Sequence, residues 1–128
     1  KDCSVINLGS RALVPLIEEG ITGGAKVNKE LRRLFDPIKH TPYDVVALGC
    51  THYPFIYQAI RNVVGDKVYI IDSGGAVARQ VLRILTTRDE LSGGPGNETF
   101  FTTGNAKNVQ TVFHKLLARQ TPITYVNV

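Results

Sequence analysis

Short runs of β-branched and aromatic residues alternate along the chain with longer segments in which apolar positions recur every three or four residues. The short runs VINL (5–8), DVVAL (44–48), VYII (68–71), TFFTT (99–103) and ITYV (123–126) predict strands, and their near-continuous apolar character predicts burial on both faces. Helical patterns fill the intervals. Ser10 is placed to cap a first helix that runs to about Glu19 and stops at Gly20, with Pro15 as a possible break. A second helix is expected from about Gly24 to Lys39, interrupted or ended near Pro37. A third follows Pro54, whose fixed φ suits a first helical position, and ends at Val64 with Gly65 as its C-cap. The fourth runs from Ser73 to about Thr87, and the fifth from Asn105, a good N-cap, to about Arg119. This alternation predicts an α/β fold of parallel-sheet layers with helices on both faces. The only break in composition is RDELSGGPGNE (88–98), a polar Gly/Pro-rich stretch that reads as an exposed loop.

Composition narrows the class without changing it. At 128 residues the chain has the size of one ordinary domain, and 43% hydrophobic with 20% charged residues excludes disorder and a coiled coil. Cys3 and Cys50 are the only cysteines, which excludes a disulfide-dense scaffold and any zinc pattern of four close ligands; reduced thiols in a cytoplasmic protein are expected. No apolar run reaches 18 residues and the opening KDCSVINLGS lacks a signal layout, so neither a membrane span nor an export signal is expected. The chain contains no methionine, so residue 1 does not read as an unprocessed start, and a piece of a longer protein is expected. The net charge of +4 comes from 15 basic and 11 acidic residues scattered along the chain, a pattern of solvated surface rather than a nucleic-acid interface.

In an open α/β sheet, ligands bind beyond the carboxyl ends of the strands. LGCTHYPF (48–55) occupies such a place. Gly49 allows close backbone approach, Cys50 stands between a strand and a predicted helix N-terminus that favours a thiolate, and His52 is near enough to exchange a proton with a bound molecule. The plainer alternative is a packed Cys50 and a surface His52. A phosphatase-type loop fails because Ile56 stands where its arginine is needed, and a metal site would have only His40, His114 and scattered carboxylates to complete it. IDSGGAVARQV (71–81) ends a strand and opens a helix. Ser73 capping with Asp72 beside it accounts for it, and an anion cradle of the Gly74, Gly75 and Ala76 N–H groups is the functional alternative. TGN (103–105) reads as a capped helix start. Glu18 and Glu19 crowd a helix end that disfavours carboxylates, explained by solvation or by one of them turning inward to orient a base. Cys3 reads as structural, at or just before the first strand, and His40 and His114 as surface residues.

GCTHYP after a strand, IDSG at the next strand end, VPLIEEG upstream and FFTTG downstream together resemble the C-terminal half of the glutamate racemase family, in the right order from about Leu13 to the end. The resemblance implies a cofactor-independent enzyme with no metal, in which two cysteines on opposite faces of the glutamate α-carbon act as thiolate base and thiol acid, supplying D-glutamate for peptidoglycan. On these positions Cys50 matches the second cysteine, Thr51 a substrate-binding residue, His52 the polar partner of that cysteine, and Glu18 the acid of the PLVE-type segment. His52 favours glutamate over aspartate, because the wider superfamily usually has an acid there. The chain departs from the family in length and in having Gly9-Ser10-Arg11 where Ala-Cys-Pro is common. Cys3 lacks the Cys-Asn-Thr context of the other catalytic cysteine, which is expected in a missing N-terminal half. The resemblance implies two lobes: residues 1–71 as the latter part of one, carrying the Cys-Thr-His motif, and 72–128 returning to the other, with a homodimer possible. A non-catalytic anion-binding module and an aspartate racemase are the alternatives.

Overall fold

Two parallel strand pairs, each bridged by a helix, organise the computed structural model, which describes residues 3–128. The chain divides into two units, Lys1–Ile71 and Asp72–Val128. In the first, α1 (Leu13–Glu18) and α2 (Gly24–Phe35) precede β1 (Val45–Ala47), and α3 (Tyr57–Val64) leads to β2 (Tyr69–Ile71). β1 and β2 pair in parallel with Val45 opposite Tyr69 and Ala47 opposite Ile71, and the Leu48 N–H extends the ladder to the Ile71 carbonyl. Parallel neighbours need a crossover connection, which α3 provides. The second unit repeats the plan: after α4 (Gly74–Thr87), β3 (Phe100–Thr102) pairs in parallel with β4 (Ile123–Tyr125) across α5 (Ala106–Leu117). Among the described residues no helix is long and apolar enough to cross a membrane.

The core of the first unit follows from helical spacing. Leu13 and Ile17 on α1, Val27, Leu31 and Phe35 on α2, and Ile56 and Ile60 at and within α3 recur every four residues and are buried, joined by Leu48, Ala59 and Val68. Pro15 does not break α1, because it is the third helical residue, where no intrahelical acceptor exists for its missing N–H. Pro37 does end α2, which passes into a 3-10 turn over Asp36–Ile38. Gly65 closes α3 with φ +84, a conformation other residues adopt with strain.

Several expectations are corrected. VINL (5–8) is not a strand: residues 3–10 form no ladder, and Val5 is 84% exposed. A strand persists only with a hydrogen-bonding neighbour, and none pairs with this run among the described residues. Cys3 is therefore exposed rather than packed, its thiol reaching no farther than the Ser4 carbonyl. The strands at 45–47 and 69–71 form as expected but are not buried on both faces, with Val45, Tyr69 and Ile71 exposed. The third helix starts later than Pro54, after a 3-10 turn over Tyr53–Ile56. In the second unit α5 begins as expected, with the Asn105 side chain accepting from the Asn108 N–H, and Phe100 packs edge-on against Phe113. Its apolar side chains stay half-buried or exposed, α4 most of all.

Candidate active site

Cys50 follows Ala47, the last residue of β1, by three positions and is half-buried. The chain then turns sharply: the Tyr53 N–H donates to the Cys50 carbonyl, and the Phe55 N–H to that of His52. This turn holds His52 beside the cysteine, with Nδ1 3.8 Å from the Cys50 Sγ and 3.5 Å from the Thr51 hydroxyl oxygen. On the other side of the ring, Nε2 lies 3.4 Å from Glu18 Oε1, at the C-terminal residue of α1. Four residues singled out from sequence, Glu18, Cys50, Thr51 and His52, are thus brought into one cluster although Glu18 is more than thirty positions from the others. The α-helix itself begins only at Tyr57, so its N-terminus does not directly abut Cys50 as expected.

The order of groups defines the chemistry. A carboxylate at Nε2 favours the proton on that nitrogen, leaving the Nδ1 lone pair toward the thiol. In that tautomer Nδ1 is the atom that could accept from the Cys50 S–H, 3.8 Å away, and transfer of the proton would leave a thiolate facing an imidazolium held on its far side by Glu18. Glu18 is well exposed and His52 one-third exposed, so the pair gains modestly from attraction in water and acts chiefly by orienting the ring. Among the described residues no group of three or more His, Cys, Asp and Glu side chains stands together as a metal site.

Sequence reading missed two neighbours. Tyr53 is half-buried with its hydroxyl pushed above the usual phenol range, first by burial and then by the negative potential of Cys50, while a backbone hydrogen bond at Ser10 works in the opposite sense. Glu30 on α2 accepts from the Ser10 hydroxyl at 2.6 Å and from Arg33 at two points, 2.6 and 2.9 Å. Hydrogen bonds from Arg33 and then Ser10 hold the Glu30 carboxyl at about 2, against an ordinary 4.5. A depressed folded value contributes stability that is present above the unfolded value and is lost as pH falls from about 5 toward 2. Glu30→Gln is therefore expected to cost about 1–2 kcal/mol at pH 7 and to flatten the acid limb of urea unfolding. Coincident curves for the two proteins between pH 7 and 3 would show that Glu30 contributes nothing.

At the second strand end, Ser73 is the N-cap of α4 but makes no side-chain capping bond; Asp72 Oδ1 accepts the Gly74 N–H at 2.7 Å instead. A Cβ on residue 74 would stand 2.9 Å from that oxygen, so a side chain there would require the Asp72 carboxylate to shift. The chain's own carboxylate thus takes one of the three N–H groups of the anion cradle considered from sequence, that of Gly74, and its charge disfavours a second negative group beside it.

No family model matches the chain. Glutamate racemase of Ralstonia pickettii is 38% identical over 117 residues, covering 91% of this chain and 42% of that protein. The crystal structure of glutamate racemase isoform RacE1 from Bacillus anthracis has a TM-score of 0.81 to it at 26% identity, covering 91% of this chain and 44% of that one. That of the Thermus thermophilus glutamate racemase, in complex with β-chloro-D-alanine, gives 0.76 at 27%, over 90% and 44% of the two chains. The fold is that of the α/β amino-acid racemases. More narrowly, the chain is homologous to the C-terminal half of glutamate racemase, and it spans less than half the length of these relatives.

Proposed function

We propose that this chain is the C-terminal half of a cofactor-independent glutamate racemase and supplies one of the two cysteines that move the α-proton. The observation that carries this reading is the Glu18, His52, Cys50 relay at the end of a parallel strand, which provides a thiol with a base to take its proton. An amino acid's α-carbon is a very weak acid, so a thiolate must meet the C–H on one face while a thiol delivers a proton to the other. Cys50 serves one face and a cysteine from the N-terminal half the other. In one direction the Cys50 thiolate takes the proton and the opposite thiol gives one; in reverse the roles exchange, so each turnover leaves both sulfurs with interchanged protonation. Thr51 hydrogen-bonds the substrate's polar groups, His52 resets Cys50, and Glu18 holds His52. The Thermus thermophilus relative bound to β-chloro-D-alanine supports a substrate of this class. The product, D-glutamate, would be made in the cytoplasm for peptidoglycan.

A full-length protein carrying this chain should interconvert L- and D-glutamate with no added cofactor, followed by polarimetry or D-glutamate-specific detection. Turnover of aspartate in place of glutamate would move the assignment to an aspartate racemase, and inertness toward both would overturn it.

A further inference from the structure

Helix α1 carries Glu18 at its last residue, where Glu19 follows directly. The Pro15, Leu16 and Ile17 carbonyls accept from the N–H groups of Glu19, Ile21 and Gly20, so the helix end is closed by backbone bonds, and His52 is what the Glu18 carboxylate meets. What holds the helix lies at its other end. The Ser10 Oγ accepts from the Ala12 and Leu13 N–H groups at 3.1 and 3.2 Å, serving as a cap from three residues before the helix starts at Leu13. The same hydroxyl donates to Glu30 Oε1 at 2.6 Å, and Glu30 is clamped to its own helix by Arg33. The N-terminus of α1 is thereby tied to α2 at one polar point, while Leu13 and Ile17 bury its underside.

We infer that Ser10 and Glu30 are positioning residues that set where Glu18 meets His52, and through that contact govern the reactivity of Cys50. This rests on the racemase reading for its purpose but not for its geometry. The lever is short. Six residues of helix span about 9 Å, so a tilt of about 10° at the N-terminal tie displaces the far end by about 1.5 Å. Glu18 stands 3.4 Å from Nε2, at the outer edge of a useful contact, and such a displacement breaks it. Without the carboxylate the ring loses its fixed tautomer, and Nδ1 no longer presents a lone pair to the thiol for a constant fraction of the time.

The test uses the 128-residue chain itself, alkylated with iodoacetamide at pH 7 and read by mass spectrometry, with exposed Cys3 as the reference thiol in the same sample. Glu18→Gln is expected to slow Cys50 relative to Cys3 by about fivefold to tenfold. Ser10→Ala and Glu30→Gln should each slow it several-fold, and Ser10→Thr, which keeps the hydroxyl, should restore the wild-type rate. The double variant Ser10→Ala with Glu18→Gln should be no slower than Glu18→Gln alone, because both act through one contact. A purely structural role for Ser10 would give multiplied losses in the double variant, and that result overturns the inference. So does an unchanged Cys50 rate in both Ser10→Ala and Glu30→Gln while Glu18→Gln slows it, or no effect of Glu18→Gln at all. Each of these leaves the racemase assignment standing, since that is decided by glutamate turnover in the full-length protein.

Discussion

The isolated 128-residue chain is expected to leave L-glutamate unchanged and to self-associate. It presents one cysteine in a site with a base beside it; Cys3 is exposed, and its thiol is engaged only with the neighbouring carbonyl. A substrate here would meet a proton acceptor on one face and solvent on the other. Holding both reacting groups in line contributes about 7–11 kcal/mol in well-oriented systems, and a single-sided site forgoes most of it. Self-association follows from the second unit. All the fully buried apolar side chains among the described residues lie between Leu13 and Val68, whereas Val77, Val81 and Leu82 on α4 are about half exposed. Exposed apolar side chains clustered on one helix in this way favour association. Sedimentation velocity should show concentration-dependent oligomers that recede when these three residues are changed to serine, and polarimetry should show no turnover until an N-terminal racemase half is supplied. Turnover by the chain alone would mean that Cys3 or a second copy provides the opposite thiol.

How much of this could be read in the sequence depended on how local each feature is. Cys50, Thr51 and His52 were legible because a strand end and one tight turn place them, and both are written within eight residues. Glu18 was legible as an acid at an unsuitable helix end and, through the family resemblance, as the acid of the PLVE-type segment, but neither reading told which group it meets; the structure places His52 within its reach. Ser10 was legible as a cap, but its second bond, to Glu30 twenty residues away, was not. Nothing in a helical pattern says which carboxylate on its polar face meets a hydroxyl from another element. The same locality explains the strand at 5–8. Its residues have the right propensity, but propensity does not supply the neighbouring strand that a ladder requires. At the second strand end, Asp72 and Ser73 are both good caps, and choosing between them takes coordinates.

The second large effect concerns Cys50 in the full-length protein. On the proposed two-thiol reading, replacing it by alanine would remove the only acid or base on one face of the α-carbon, and because racemisation in either direction would use both faces, both directions are expected to fail together. Loss of one positioned proton-transfer group costs about a thousandfold. His52→Asn is milder, since the thiol remains and only its partner is lost. The most direct measurement is the initial rate of L- to D-glutamate and of D- to L-glutamate conversion by full-length wild-type and Cys50→Ala proteins at equal concentration. The two-thiol reading predicts that both rates collapse to background in the variant, while the wild type approaches equal amounts of the two enantiomers from either side. Cys50→Ala protein that interconverts the enantiomers at the wild-type rate would contradict it.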